Sequence, residues 1–311
     1  MRNGLMRNRL MPNTEITNKP GFPAIRRLGA DDLRSCAALS VDRGWWPERG
    51  KWALLLDASD GFGIDAPDGQ GLAGTVVVTR WGTERAAIGM MLIASRYGGQ
   101  GLGRALMEHA LSVAGEGAAV SLYATDSGRP LYDKLGFQPV RRSVAFRGRF
   151  RADSPASSGK KDEAQAETPG DIRVVTEADL PAILTLDRAV YGADRERILG
   201  RMPAFADRFV VLEDDDGIVG YAAAWRTEAF LFIGPLVAPD GEAAKRLVTE
   251  LAADSPVAVR LDLDPDRPEL PGWARDHGLM ATERTVRMTH GDLTPCGIPE
   301  RDFTPISVAM A

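Results

Sequence analysis

The chain repeats itself once. AIRRLGADDL at 24–33 and DIRVVTEADL at 171–180 share Ile, Arg, Asp and Leu at an offset of 147 residues. GLAG at 71–74 returns as GIVG at 217–220, and IGMMLIA at 88–94 returns loosely as IGPLVA at 233–238. The offset drifts by only a residue or two, as changes in loop length produce. Solenoid repeats have periods of ~20–50 residues; this period is domain-sized, so the reading is a duplicated domain. A length of 311 residues leaves room for both copies. Segment 151–170, RADSPASSGKKDEAQAETPG, holds no large apolar residue and is predicted to be a connector. Residues 1–23 are basic but lack the apolar core and cleavage site of a signal peptide, so they are predicted to be a disordered arm. The expected units are therefore 24–150 and 171–311.

Each half has the same coarse order. In the first, a short strand at 24–28 precedes helices at 31–43 and 48–58, the former carrying Leu33, Ala37 and Val41 on one side. Strands follow at 61–65, 71–81 and 85–94, the last two joined by a polar hairpin turn, WGTER. A glycine-rich loop leads into a helix at 104–115 with an apolar face, then a strand at 118–124, a short helix at 129–135 and a strand at 137–150. The fourth and fifth strands are joined through a helix and should run parallel, while the others are hairpin-connected. The fold class is α/β with a mixed sheet.

Charge narrows the partners. The net −5 divides unevenly: residues 1–150 carry 20 Lys/Arg against 14 Asp/Glu, and 151–311 carry 18 against 29. No basic stripe with interleaved aromatics is present, so a nucleic-acid partner is not expected. The longest apolar stretch, 86–94, is half the ~18 residues a membrane span needs, so no membrane partner is expected either. Cys36 and Cys296 match no zinc or redox spacing, and no metal is expected. A cytoplasmic location follows as the default. A homodimer is compatible with all of this.

The chemistry concentrates in AAIGMMLIASRYGGQGLGRALMEHAL, 86–111. Gly98, Gly99, Gly101 and Gly103 lie between an apolar strand and an amphipathic helix. Glycines permit positive φ and close approach of a ligand, so successive N–H groups can converge on one anion. The helix start adds free donors and a partial positive charge, and Arg104 adds a full one. A Walker loop is excluded because Arg104-Ala105 replaces Lys-Ser/Thr. The dinucleotide fingerprint is excluded by its place after a fourth, hairpin-reached strand. What survives is a pyrophosphate held at a helix N-terminus beside a strand.

With that loop on the page, the sequence resembles the GNAT acetyltransferase superfamily. The family's [Q/R]-x-x-G-x-[G/A] loop matches with Gly101 and Gly103, although Gly98 stands where Gln or Arg is usual. A second signature is present as Leu131-Tyr132-Asp133-Lys134-Leu135-Gly136-Phe137. The resemblance implies two tandem acyl-CoA N-acyltransferase domains, with acetyl-CoA as co-substrate. It places pantetheine on Met91, Leu92 and Ile93, with Thr125 offering a hydroxyl where the family often has Asn. It places the pyrophosphate on Gly98, Gly99, Gln100, Gly101, Leu102, Gly103 and Arg104, and makes Tyr132 the general acid. Trp45, Trp46 and Trp52 fall where the family forms its acceptor pocket. The implied activity is acetyl transfer by direct attack of a primary amine of a small molecule or amino-acid-like acceptor, in a bacterial protein. Ala87 occupies the position of the family's strand-four glutamate base, which leaves Glu84 or a water relay. The missing carboxylate also suggests the alternative of a non-catalytic acyl-CoA-binding sensor.

Other residues invite blander readings. His109 is expected on the surface, His277 and His290 are isolated, and Cys36 reads as a buried small hydrophobe. In the second half only Gly241 precedes the helix, Pro235 and Pro239 remove backbone donors, and Trp273 stands near the place of the phenol. That half is expected to be a degenerate accessory domain that packs on the first and walls the acceptor site.

Overall fold

A computed structural model describes residues 20–152, 170–267, 269–291 and 297–310. Most of the basic arm and of the 151–170 connector lies outside the described residues. The first half runs β1 (Ile25–Arg27), α1 (Leu33–Asp42), α2 (Arg49–Ala58), β2 (Asp60–Asp65), β3 (Leu72–Trp81), β4 (Arg85–Ile93), α3 (Leu102–Ala114), β5 (Ala119–Ala124), α4 (Arg129–Lys134) and β6 (Gln138–Gly148). The second runs β7 (Asp171–Val174), α5 (Leu180–Tyr191), α6 (Glu196–Leu199), α7 (Met202–Phe205), β8 (Arg208–Asp214), β9 (Gly217–Arg226), β10 (Leu231–Val237), α8 (Gly241–Ala252), β11 (Val259–Leu263), α9 (Glu269–Asp276), β12 (Met280–His290) and β13 (Asp302–Thr304). None of the described helices is long and apolar enough to cross a membrane.

The repeat is visible in the contacts as well as in the sequence. Arg26 clamps Asp32 at 2.7 Å and Asp65 at 2.8 Å. Its counterpart 147 residues on, Arg173, clamps Asp179 at 2.7 Å and Glu213 at 2.6 Å. In both halves one guanidinium ties the first strand to the following turn and to the neighbouring strand.

All strands join one sheet in the order β1-β2-β3-β4-β5-β12-β6-β11-β10-β9-β8-β7, with β13 on β10. Among the described residues only β4 with β5 and β10 with β11 pair in parallel. The halves have exchanged their long last strands. β12 lies against β5, with Val286 opposite Ala124, and β6 lies against β11, with Phe146 opposite Leu261. β6 and β12 also pair with each other, which leaves no open edge where the two sheets meet.

Helices cover both faces. α3 buries Leu102, Leu106, Met107 and Ala110 against the sheet, each large side chain contributing roughly 1.5–3 kcal/mol. On the other face one core serves both halves, joining Trp52, Leu55 and Met90 to Ile183, Tyr221 and Phe232. Ile306, Ala309 and Met310, from beyond β13, pack into it.

Candidate active site

The β4–β5 ladder runs from Arg85 opposite Ala119 to Ile88 opposite Leu122 and stops there. β4 continues to Ile93, so the backbone of 89–93 has no register partner on the β5 side among the described residues. A bulge at Met90 accounts for the parting. Its φ of 48° is left-handed, the register with β3 shifts beside it, and its carbonyl accepts a 2.9 Å bond from the Thr75 hydroxyl. Such an insertion bends a strand away from its neighbour. The result is a wedge-shaped gap flanked by the main chain of Met91, Leu92 and Ile93.

The glycine loop opens beside this gap. After a single helical turn at Ser95–Tyr97, Gly99 and Gly101 adopt φ of 74° and 81°, a conformation that costs other L-residues ~1–2 kcal/mol. A Cβ at Gly99 would meet nothing within 4 Å, so the loop surface is open. The first closing bond of α3 is Ala105 N–H to Gly101 at 3.2 Å, so the N–H groups of Leu102, Gly103 and Arg104 have no acceptor within the helix. Gly103 has a packing role. A Cβ there would lie 3.2 Å from Leu131 and 3.5 Å from Met91, so glycine seats the helix start on strand and α4 alike. The Arg104 side chain lies half-exposed, 3.5 Å from Glu108, a pair too weak to hold it from an anion.

Tyr132 is 7 % exposed in α4 and lies edge-on to Phe137 with ring centroids 6.0 Å apart. Burial alone pushes its phenol up to about 12. The Thr125 hydroxyl is used locally, 3.1 Å from Ser127 and accepting from Gly128 N–H at 3.3 Å, where it caps the turn into α4. Glu84 is exposed at the start of β4, roughly 16 Å from Gly89 at ~3.3 Å per residue. It is at the wrong end of the strand to serve as a base in the gap. Trp45 and Trp46 are exposed on the α1–α2 connection, but Trp52 is fully buried and its indole donates to Ser40 at 2.9 Å, so it is core. His109 departs from the surface reading: it packs edge-on to Phe62 at 4.5 Å, and burial lowers its pKa.

The second half is built differently at the same places. β10 pairs with β11 only at Leu231 and Phe232, and the space beyond is filled by β13, with Thr304 opposite Leu236 and Asp302 opposite Val237. At the start of α8 the Asp240 carboxylate accepts from Ala243 N–H at 2.8 Å, and Glu269 crowds Gly241, its Cβ 2.7 Å from where a Cβ would sit. The chain beyond β13 returns to the first half, where the Ala309 carbonyl would lie only 1.9 Å from a Cβ on Gly89. Gly89→Ala is expected to push that segment out, costing about 1–3 kcal/mol as overpacking does; a thermal melt and limited proteolysis of the C-terminal segment check it.

The fold agrees with the comparisons. An acetyltransferase (GNAT) family model matches residues 30–137, and a GNAT acetyltransferase-domain model matches residues 183–297. The chain is a tandem member of the GNAT acetyltransferase family. It is 27% identical over 228 residues, 72% of this chain and 77% of the relative, to the uncharacterized N-acetyltransferase YitH of Bacillus subtilis (strain 168). Its fold is similar to that of a candidate acetyltransferase from Pyrococcus horikoshii, with a TM-score of 0.77 at 16% identity over 96% of this chain and 99% of that one. A tandem GNAT protein from the clavulanic acid biosynthesis pathway matches with a TM-score of 0.59 at 14% identity, over 87% of this chain and 99% of that one. Both matches fall on the mixed-sheet GNAT fold that the motifs implied.

Proposed function

We propose that the first half of this tandem GNAT protein transfers an acetyl group from acetyl-CoA to a primary amine of a small molecule or amino-acid-like acceptor. The observation that carries the reading is the coincidence, at one end of one strand, of a parted parallel pair and a helix start with unspent donors. The loop and first turn, Gly99 to Arg104, would hold the diphosphate, and the free backbone of Met91, Leu92 and Ile93 would hold the pantetheine arm. Acetyl-CoA supplies a thioester already activated toward an amine. The strand amides would stabilise negative charge developing on the carbonyl oxygen. Tyr132, its phenol raised to about 12 by burial, stays protonated across neutral and mildly alkaline pH and can deliver a proton to sulfur. The second half, its gap filled by β13 and its helix start capped by Asp240, would serve as a wall and not as a second carrier site.

The test is an acceptor screen read by CoA release, with the product mass measured. Binding of acetyl-CoA in calorimetry with no thiol released by any amine would instead support a sensor. Tyr132→Phe should lower turnover by roughly 10²-fold, the lower range for general acid catalysis, with acetyl-CoA affinity within about twofold. An unchanged rate would remove Tyr132 from the reaction.

A further inference from the structure

We propose that the cavity between the β3–β4 hairpin and the α5–α7 segment is a second binding site, for a small organic molecule carrying two carboxylate or phosphate groups, one held by Arg80 and the other by Arg197. The inference goes beyond the acetyl-transfer reading and does not depend on it.

The cavity has a volume of about 560 Å³. That is within the ~300–1,000 Å³ usual for small-molecule sites, which favour the seams between domains. One wall is the end of β3 with Arg80, from the first half. The other comes from the second half and includes Leu180, Asp194, Glu196, Arg197 and Arg201. Two contacts between the halves brace these walls. Arg201 Nε lies 2.5 Å from Asp57 Oδ2 on α2, and the Trp81 ring meets Tyr191 edge-on at 6.4 Å. The cavity is also remote from the glycine loop. Arg80 stands opposite Ala86 in the sheet, at the other end of β4 from Ile93 and roughly 23 Å away at ~3.3 Å per residue.

The charges left unpaired on these walls decide what fits. Asp194 is engaged, accepting from Arg188 at 2.9 Å and from the Glu196 N–H at 2.9 Å. Arg201 is engaged too, by Asp57 and, through Nη1, by the Arg197 carbonyl at 2.7 Å. Arg80 is only half satisfied. Its Nη2 lies 3.3 Å from Asp60, a carboxylate that Arg27 already holds at 2.5 Å. Its Nε is enclosed with no hydrogen-bond partner among the described residues. The side chains of Arg197 and Glu196 form neither a hydrogen bond nor an ion pair among the described residues. Glu196 is exposed at the rim, where its carboxylate can turn to solvent.

A guanidinium offers paired, coplanar donors that match two oxygens of a carboxylate or phosphate. With one such group on each wall, the cavity suits a molecule with an acidic group at either end, and Leu180 gives its carbon frame an apolar surface. The bound anion would tie the first half to the second.

Melting temperature and calorimetric affinity are measured with glutarate, citrate and fructose 1,6-bisphosphate as paired anions, and with acetate and inorganic phosphate as single-group controls. At one hundred times its Kd a paired anion should raise the melting temperature by roughly 4 °C. It should bind about tenfold or more tighter than either control. Arg80→Gln and Arg197→Gln should each weaken binding by about tenfold or more. Glu196→Gln, which takes a negative charge off the rim, should tighten it by about twofold. Arg149→Gln, at an exposed arginine outside the cavity, should change affinity by less than about twofold. Binding should persist in Gly101→Asp, which separates this site from the diphosphate cradle proposed above. Should Arg80→Gln fail to fold because Asp60 loses a partner, the exposed Arg197 keeps the test decisive. No binding of a paired anion, affinity no better than the controls, or affinity unchanged in Arg197→Gln overturns the proposal. An equal loss in Arg149→Gln, or a loss confined to Gly101→Asp, overturns it as well, the latter by placing the anion in the cradle.

Discussion

Gly101→Asp is expected to reduce acetyl-CoA binding by at least 10²-fold while leaving the fold in place. Gly101 precedes α3 with φ at 81°, and its neighbours present the free N–H groups of the helix start. A carboxylate there would accept those donors itself, much as Asp240 does at the start of α8. The strain of a left-handed Asp, ~1–2 kcal/mol, is largely offset by capping worth ~1 kcal/mol, so stability should change little. The diphosphate loses on two counts, since its donors are taken and a negative charge faces it. Two lost hydrogen bonds to a charged group, each ~1.5–3 kcal/mol, correspond to a 10²–10⁴-fold loss. Calorimetry with acetyl-CoA beside a thermal melt measures both. Retained affinity would place the carrier elsewhere.

The largest loss of stability should come from the shared core. Asp187 and Arg195, both almost wholly buried, form an ion pair, with Arg195 Nε 3.1 Å from Asp187 Oδ2 and the Tyr221 hydroxyl donating to the same carboxylate. Burial alone would lower the Arg195 pKa, but the Asp187 charge holds it well above the ordinary value. The guanidinium also lies 3.9 Å from the centre of the Tyr191 ring. Asp187→Ala would strand that charge in the interior, at a cost of about 3–5 kcal/mol, whereas replacing both partners by apolar residues of similar volume should be far milder. For a chain of this size the single variant should melt roughly 5–8 °C lower. Because the core joins the two halves, both should unfold together; a melt in which only one half is lost would contradict the shared core.

Some of the site was legible because it depends on neighbours in sequence. The left-handed glycines, the helix start, the Leu-Tyr signature and the parallel crossover are all local, and they point to residues 88–135. The bulge at Met90 was not legible, since methionine rarely adopts positive φ and nothing nearby in sequence demands it. Trp52 and Glu84 show the same limit. Both are near the site in sequence, but packing sends one into the core and strand direction sends the other to the far end of β4.

What the amino-acid order determined by itself was the duplication, the coarse order of elements and the glycine-rich loop ahead of a helix in the first copy. Periodicity, glycine spacing and an offset of 147 residues survive without knowledge of the fold. Only tertiary structure decided which last strand completes which sheet. β6 and β12 are both 11-residue strands that can pair antiparallel, and the choice between them is a contest over long-range edges. It also decided that β13 fills the second gap, and that Asp302 and Tyr123, 179 residues apart in sequence, line one cavity. Side chains that distant are brought together by sheet register and a common core, which no local pattern encodes.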